Sequence, residues 1–390
     1  MDKTINIHIG GPRYGLHNIG DEAILLSILK SFSNYSLSVS TYDSKWIDLY
    51  FNDVKRKIIN IEYSEPKLGL FIDPKKFVIR NSILLMNEIK FYGNKNIYIC
   101  GGGTILSDCP WYSLRTVQIA GLSGVPTFLW GVGMAEVHDI KTQQYIKKVL
   151  NKEYVREIYT RDQFVMDRLL KIGVNPEKVS VSYDPAILLD GKKFNYGLYF
   201  NDNQIRILNN GCINIVISLS GETDVIKKTP IDIISDSVLE LQKTLKANIV
   251  LISTGWGTHC KDNCFLKELY KKLDYNHTVF AEKEFAPEHL IYFLKKTNLI
   301  ISSRLHMNIF GACSGTPSIG LVRNEKNIDF SELMNLPYLF LDNLKKSDLL
   351  RVSEKIINNE QLYRNRINNK VSEMRRKYLS SVEKIKKDID

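Results

Sequence analysis

The chain has 390 residues, of which 44% are hydrophobic and 25% charged, and a formal net charge of +10. This length predicts two domains, and the composition is ordinary for a soluble globular protein. No run of 18 or more apolar residues occurs, which excludes a spanning helix, and the start lacks the apolar stretch of a signal peptide. Six scattered cysteines favour reduced thiols over a disulfide framework, and we expect a cytoplasmic protein.

Short β-rich runs alternate with helical patterns along the chain, which predicts parallel sheets with right-handed crossovers. We expect an α/β fold of two Rossmann-like, doubly wound domains that face a cleft. Residues 1–195 would form the first and 212–344 the second, with an Asn-rich stretch between them and a basic helical segment, 345–390, at the end. Strands are predicted at 5–9, 37–42, 97–100, 126–130, 158–160, 179–183, 213–218, 249–253, 279–280, 299–302 and 318–322.

The first strand is followed by a glycine-rich loop, HIGGPRYGLHNIGDEAIL, whose backbone can approach a ligand closely. As structural residues, Asp21 is a helix cap and Glu22 an acid that complements the helix dipole. As functional residues, the carboxylates of Asp21 and Glu22 would hold a sugar hydroxyl or take its proton, and Asn18 would line the acceptor side with them. The loop lacks the G-x-G-x-x-G spacing of a dinucleotide site. We therefore favour a role on the side of an acceptor substrate.

The second strand end carries three consecutive glycines in NIYICGGGTILSDCPWY. They predict a turn directly after Cys100, and both anion binding and close helix–strand packing explain the missing side chains. Trp111 could stack on a sugar ring, although a core or surface aromatic explains it equally well. We place Gly102, Gly103 and Trp111 on the acceptor side.

The third strand end, EIYTRDQFVMDRLL, presents Arg161 and begins a helix at Asp162. An Arg-Asp pair at such a position is often a self-satisfied ion pair. Because this segment is predicted to face the second domain, Arg161 is also a candidate to bind an anion across the cleft.

The fourth strand end lies in LIISSRLHMNIFGACSGTPSIGL, where a buried strand delivers Arg304 and His306 to its carboxyl end. In open parallel sheets, ligands bind at that end. Arginine offers a planar fork for phosphate or carboxylate, and histidine serves as a general acid or base near neutral pH. A lone histidine is often a satisfied core residue, but the neighbouring arginine argues against that interpretation. Lys326 follows the next strand and is predicted to point into the same pocket.

The segment 345–390 has 13 Lys and Arg against 7 Asp and Glu, and its apolar residues recur at steps of three and four. This pattern predicts an amphipathic helix that docks on the protein with a solvated basic face. A second interpretation adds weak attraction to an anionic membrane surface, which would place the protein at the inner membrane face. Nucleic acid is excluded as a partner because no base-reading motif accompanies the basic residues.

A metal site is not expected. His259, Cys260 and Cys264 form the only zinc-like cluster, and no second ligand pair lies at a useful distance. The one D-x-D, at residues 388–390, lies at the extreme end of the chain.

These motifs together resemble the polysaccharide pyruvyl transferases. The resemblance rests on segments in family order, which are NIGDEAIL, CGGGTILSD, GVGM, TRD, YDPA and the R-L-H…G-x-P stretch at residues 304–317. It implies a GT-B-like fold, in which the first domain mainly binds the acceptor sugar. It also implies phosphoenolpyruvate as the donor substrate, no cofactor, and a product in which pyruvate forms a ketal on two hydroxyls of one sugar.

The family pattern assigns the donor to the arginine and histidine of R-L-H. His306 is therefore the catalytic candidate, and Arg161, Arg304, Leu305 and Lys326 are candidates for donor binding. The acceptor would be a nucleotide- or lipid-linked saccharide, or a polysaccharide destined for the cell surface.

Two alternative functions remain. A nucleotide-sugar glycosyltransferase of the same architecture would need a carboxylate near the donor loop to hold a ribose, and HMNIFGACSGTP supplies none. A non-catalytic glycan-binding protein would not need Arg161, Arg304 and His306.

Overall fold

The computed structural model describes residues 5–11, 14–43, 45, 56–60, 82–221, 231–256 and 261–389. The chain divides into two compact units. Unit 1 comprises Met1–Leu16, Ile24–Pro185 and Lys377–Asp390, and unit 2 comprises His17–Ala23 and Ala186–Arg376. The segment His17–Ala23 therefore belongs to a different unit from the residues on either side of it, and unit 2 starts again at Ala186.

Unit 1 contains a seven-stranded sheet in the order β3-β2-β1-β4-β5-β6-β7, and its paired strands are all parallel. Its strands are β1 Asn6–Gly10, β2 Ser36–Thr41, β3 Arg56–Asn60, β4 Ile97–Leu106, β5 Thr127–Met134, β6 Val155–Thr160 and β7 Val179–Val181. The helices in this part of the chain are α1 Ile19–Ser31, α2 Ser82–Gly93, α3 Trp111–Leu122, α4 Ile140–Leu150 and α5 Gln163–Lys171.

Unit 2 contains a six-stranded parallel sheet in the order β10-β9-β8-β11-β12-β13. Its strands are β8 Ile213–Ser218, β9 Ala247–Leu251, β10 Thr278–Phe280, β11 Leu299–Ser302, β12 Ser318–Val322 and β13 Tyr338–Phe340. Its helices are α6 Asp202–Leu208, α7 Ile231–Leu245, α8 Asp262–Tyr270, α9 Pro287–Leu294, α10 Leu305–Ser314, α11 Glu325–Met334 and α12 Lys346–Ile357, followed by α13 Glu360–Ile389.

Most strand sequences are apolar throughout because helices cover the sheets. In β9, β11 and β12 every residue is buried, as parallel strands covered on both faces require. The core of unit 2 joins these strands to helices α7 and α12. Two strands were not predicted. β3 contains only two apolar residues, and β13 is a three-residue strand at the edge of its sheet.

The turn predicted after Cys100 is wrong, because β4 continues through the three glycines to Leu106. A Cβ on Gly101 would overlap the Tyr14 hydroxyl, and a Cβ on Gly102 would overlap the carbonyl oxygen of Gly131 on the neighbouring strand. The glycines are therefore explained by close packing within the unit, which lets the strand run on.

The predicted amphipathic C-terminal helix is confirmed, and it begins at Glu360. Ile367, Val371 and Met374 are buried in its first part, which belongs to unit 2. Tyr378 and Val382 are buried in its last part, which belongs to unit 1. Among the described residues, no helix combines the length and the apolar character that crossing a membrane would need.

Candidate functional site

The strand order of each unit locates its ligand crevice. In a doubly wound sheet, the crevice lies at the carboxyl ends of the two strands where the order reverses. In unit 1 these are β1 and β4, and in unit 2 they are β8 and β11. The loops after β8 and β11 are therefore the first place to look for a site in unit 2.

Arg304 lies at this crevice and is held by a buried carboxylate. It precedes the first residue of α10, and its guanidinium donates to both oxygens of Asp262, with Nε–Oδ2 at 2.8 Å and Nη2–Oδ1 at 2.6 Å. Asp262 is fully buried and also accepts a hydrogen bond of 2.8 Å from the backbone N–H of Gly221. Two parallel charge-assisted hydrogen bonds fix the plane of the guanidinium.

Hydrogen bonds from serines join the ends of three neighbouring strands. Ser302 Oγ donates to the Ser218 carbonyl at 2.9 Å, and Ser303 Oγ accepts from the backbone of Ser220 at 2.8 Å. Arg323, the first residue after β12, donates to Ser220 Oγ at 2.7 Å. A second guanidinium thus lies at this edge of the sheet. Sequence reasoning missed Arg323, although it follows its strand as directly as the predicted residues follow theirs.

His306 is the second residue of α10, and its ring centroid lies 6.3 Å from that of Phe310 on the next turn. Leu305 is buried beside it. The imidazole also lies directly against Gly20. A Cβ on that glycine would overlap Nδ1 and Cγ of the ring and would lie 2.8 Å from Cε1. The loop predicted from NIGDEAIL therefore contacts the predicted catalytic histidine.

This contact is possible because residues 17–19 are hydrogen-bonded to the backbone that follows β9. Asn18 forms an antiparallel bridge with Gly255, and the Ile19 N–H donates to the Thr254 carbonyl at 3.1 Å. The predicted division placed this segment on the acceptor side of the first domain. In the structure it lies in unit 2, which also contains His306.

The start of α1 also corrects one interpretation of Asp21. The helix begins at Ile19, so Asp21 is not its cap. Asn18 precedes the helix instead, and its Oδ1 accepts from the Gly20 N–H at 3.3 Å while its Nδ2 donates to Asp21 Oδ2 at 2.8 Å. Glu22 lies in the same first turn and is fully buried. The acceptor roles of Asn18, Asp21 and Glu22 stay predictions.

Lys326 is the second residue of α11, at the carboxyl end of β12 and next to the strand that delivers Arg304. Its neighbour Asn327 donates from Nδ2 to the Ser303 carbonyl at 3.2 Å. The beginning of α11 is thereby attached to the loop after β11. Lys326 and Arg304 thus share one edge of one sheet, and their pointing into one pocket stays a prediction.

In unit 1, Arg161 follows β6 and is buried. Its Nε donates to Asp162 Oδ2 at 3.1 Å, and its Nη1 lies 3.4 Å from Thr104 Oγ1. A Cβ on Gly133 would lie 2.6 Å from Nη1, so the guanidinium packs on bare backbone. Asp162 also caps α5 by accepting from the Val165 N–H at 2.8 Å. The ion pair predicted as the structural alternative is present, and donor binding by Arg161 stays a prediction.

The remaining predicted acceptor residues also lie in unit 1. Gly102 and Gly103 are inside β4, and Gly103 has a φ of +87°, which favours glycine. Trp111 begins α3 and is 37% exposed, with its ring 4.6 Å from that of Tyr145. Trp111 is therefore a surface aromatic packed on a neighbouring helix, and a sugar-stacking role stays a prediction.

His259 and Cys260 of the zinc-like cluster lie outside the described residues. Within the ranges that the structure describes, no three His, Cys, Asp or Glu side chains are grouped so that they could hold a metal ion.

Solved structures of similar fold cover almost the whole chain. The structure of Anabaena Alr3699/HepE in complex with UDP and glucose is 11% identical, covers 99% of each chain and has a TM-score of 0.62. UDP-GlcNAc 2-epimerase from Neisseria meningitidis, bound to UDP-GlcNAc, is 13% identical over 98% of this chain and 99% of that one, with a TM-score of 0.62. S. aureus MnaA with UDP is 14% identical over 98% and 94%, with a TM-score of 0.60.

At these identities the likeness shows the fold, which is that of GT-B-type glycosyltransferases and epimerases. The predicted pair of Rossmann-like α/β units is confirmed. The family of the chain is assigned from its sequence. The family model of polysaccharide pyruvyl transferases matches residues 18–325, and the chain belongs to this family. No curated protein sequence matches the chain.

Proposed function

We propose that this protein transfers the pyruvyl group of phosphoenolpyruvate to two hydroxyls of a sugar and forms a pyruvate ketal. One observation carries the proposal. In a member of the pyruvyl transferase family, the carboxyl edge of one parallel sheet presents Arg304, Arg323, Lys326 and His306 together. Cations and one acid–base group are what a donor with two anionic groups requires.

The donor carries a phosphate and a carboxylate, each of which suits a guanidinium fork. Arg304 is the first candidate, because Asp262 holds its guanidinium in one orientation and takes two of its five N–H groups. Arg323 lies at the end of the adjacent strand and Lys326 follows in the next helix. Positively charged groups held in place before the reaction stabilise the charge that develops on the leaving phosphate.

A proton is added to the methylene carbon of phosphoenolpyruvate, and the first sugar hydroxyl attacks C2 and loses its proton. The C2–O bond to phosphate breaks and phosphate leaves, and the second hydroxyl then attacks C2 and closes the ketal. The proton of this second hydroxyl is released to the departing phosphate or to solvent. His306 is the proposed acid–base group, a role that contributes about 10²–10⁴-fold to the rate. None of these steps requires a metal ion. The scheme also needs no cofactor, because phosphoenolpyruvate is itself a substrate.

The acceptor is proposed to contact Asn18, Asp21 and Glu22 in unit 2. Gly20 lies against His306, and Asn18, Asp21 and Glu22 are within two positions of this glycine in the sequence, which supports the proposal. A nucleotide-linked sugar is the acceptor class to test first, since similarly folded proteins have been solved with UDP or UDP-sugars.

The test is phosphate release from phosphoenolpyruvate in the presence of a panel of sugar acceptors, with acceptor-free reactions as the control. The proposal expects phosphate and a heavier acceptor to appear in equal amounts. If the protein instead transfers a sugar from a UDP-sugar and leaves phosphoenolpyruvate intact, it is a glycosyltransferase. If it binds glycans and turns over neither donor, it is a binding protein.

A further inference from the structure

The contact between Gly20 and His306 is the feature from which we draw a further inference. The glycine lies in the first turn of α1, and the imidazole lies in the first turn of α10. A side chain at position 20 would overlap the ring at Nδ1 and Cγ. The space that a Cβ would fill is thus occupied by the histidine ring.

Both partners of this contact adjoin residues that are held by hydrogen bonds. On the glycine side, His17 accepts at its carbonyl from the Trp256 N–H at 2.8 Å, and its Nδ1 lies 2.8 Å from Glu284 Oε2. The bridge between Asn18 and Gly255 continues this attachment to the residue before the helix.

On the histidine side, the residue that precedes α10 is held by hydrogen bonds. The Arg304 guanidinium is held by the buried Asp262 carboxylate, and the Arg304 N–H donates to Ser302 Oγ at 3.0 Å. Leu305 is buried between the two site residues in the chain. A substituent at position 20 would therefore have to be accommodated by rotation of the imidazole itself.

We propose that Gly20 is a positioning residue, whose bare backbone seats the His306 imidazole and covers its Nδ1 edge. This inference rests on the proposed function for its catalytic meaning. The N-x-G-D-E motif of the first strand end thus acts through the histidine of the R-L-H motif.

A double-mutant cycle tests the inference, because two residues that act through one contact are not additive. The variants are Gly20→Ala, His306→Ala and the double variant, each assayed for turnover and for phosphoenolpyruvate affinity. Gly20→Ala is expected to lower kcat about tenfold or more and to change the donor Kd by less than about threefold. In the His306→Ala background the same change is expected to alter kcat by less than about twofold, since the ring it would displace is gone.

Gly93→Ala is the matched control, because no heavy atom lies within 4 Å of a Cβ built there. It is expected to leave both kcat and Kd unchanged. The inference is overturned if Gly20→Ala lowers kcat by the same factor in the wild-type and His306→Ala backgrounds. It is also overturned if Gly20→Ala leaves kcat unchanged in the wild-type background.

Melting temperatures of the wild-type protein, Gly20→Ala, His306→Ala and the double variant test the contact without any assay of activity. Gly20→Ala is expected to lower the melting temperature by about 2–4 °C or more in the wild-type background, and by clearly less where His306 is alanine. If the wild-type protein releases no phosphate from phosphoenolpyruvate, the proposed function fails. The seating of His306 by Gly20 is then decided by the melting cycle alone, and equal shifts in both backgrounds overturn it.

Discussion

Asp262→Ala is expected to destabilise the protein strongly. The Asp262 carboxylate is fully buried, the Arg304 side chain is 18% exposed, and the two are joined by hydrogen bonds of 2.6 and 2.8 Å. Removing one partner of a buried pair leaves the other charge without compensation, which costs about 3–5 kcal/mol. The Gly221 N–H would lose its acceptor at the same time.

Asp262→Asn removes the negative charge and keeps nearly the same side-chain shape, so it separates the effect of charge from the effect of packing. The amide keeps one oxygen to accept from Gly221 or Arg304 and loses the negative charge, so the expected loss is about 1.5–3 kcal/mol. Urea unfolding followed by circular dichroism measures the stability of both variants. Titration with phosphoenolpyruvate of the variants that remain folded is expected to show weaker binding, because the guanidinium is no longer held in one plane.

The exposed pair between Asp232 and Lys272 provides the control, since the Asp232 side chain is 73% exposed. Asp232→Ala is expected to leave the unfolding midpoint unchanged. The reasoning is refuted if Asp262→Ala costs less than about 1 kcal/mol. It is equally refuted if Asp262→Ala costs as much in an Arg304→Met background, where no buried charge remains to be compensated.

Three further predictions use other parts of the chain. His306→Ala is expected to lower kcat about 10²–10⁴-fold with the phosphoenolpyruvate Kd nearly unchanged, and near-normal turnover would remove it from the mechanism. Burial lowers the pKa of His8 from 6.5 to about 3, so the folded state excludes a proton that the unfolded state binds. The unfolding free energy should then fall as the pH drops from 6.5 towards 3, by up to about 1.4 kcal/mol per unit, and a His8→Asn variant with the same pH slope would contradict this. Gly101→Ala should cost about 1–3 kcal/mol in urea unfolding because its methyl group meets the Tyr14 hydroxyl, whereas Gly93→Ala should cost little, and equal costs would refute the packing argument.

The fold was predictable because parallel strands covered by helices are apolar throughout. The strands at 213–218, 299–302 and 318–322 have the predicted bounds for this reason. The turn predicted at the triple glycine was wrong, because a run of glycines is typical of both turns and close packing. Tertiary contacts decide between the two, namely those with the Tyr14 hydroxyl and the Gly131 carbonyl oxygen, which come from other parts of the sequence.

The site residues were predictable where charged or titratable side chains directly follow a buried strand. They were less predictable where the interacting residue is distant in the sequence. Arg304 and His306 follow an obvious buried strand, so their place at the sheet edge could be read directly. Asp262 lies at the start of a different helix, and its pairing with Arg304 has no sequence signal beyond an acid in a first turn. The sequence shows Gly20 only as one member of a glycine-rich loop, because its contact with His306 depends on the pairing of residues 17–19 with the backbone after β9.

The most direct test of pyruvyl transfer is a reaction of the wild-type protein, phosphoenolpyruvate and an acceptor sugar in D₂O, with the product examined by NMR and mass spectrometry. The account predicts a sugar that carries the three carbons of pyruvate as a ketal, with one deuterium in its methyl group and inorganic phosphate released alongside. A sugar that gains phosphate, or gains an intact enolpyruvyl group without deuterium, would contradict protonation of the methylene carbon and the ketal-forming function built on it.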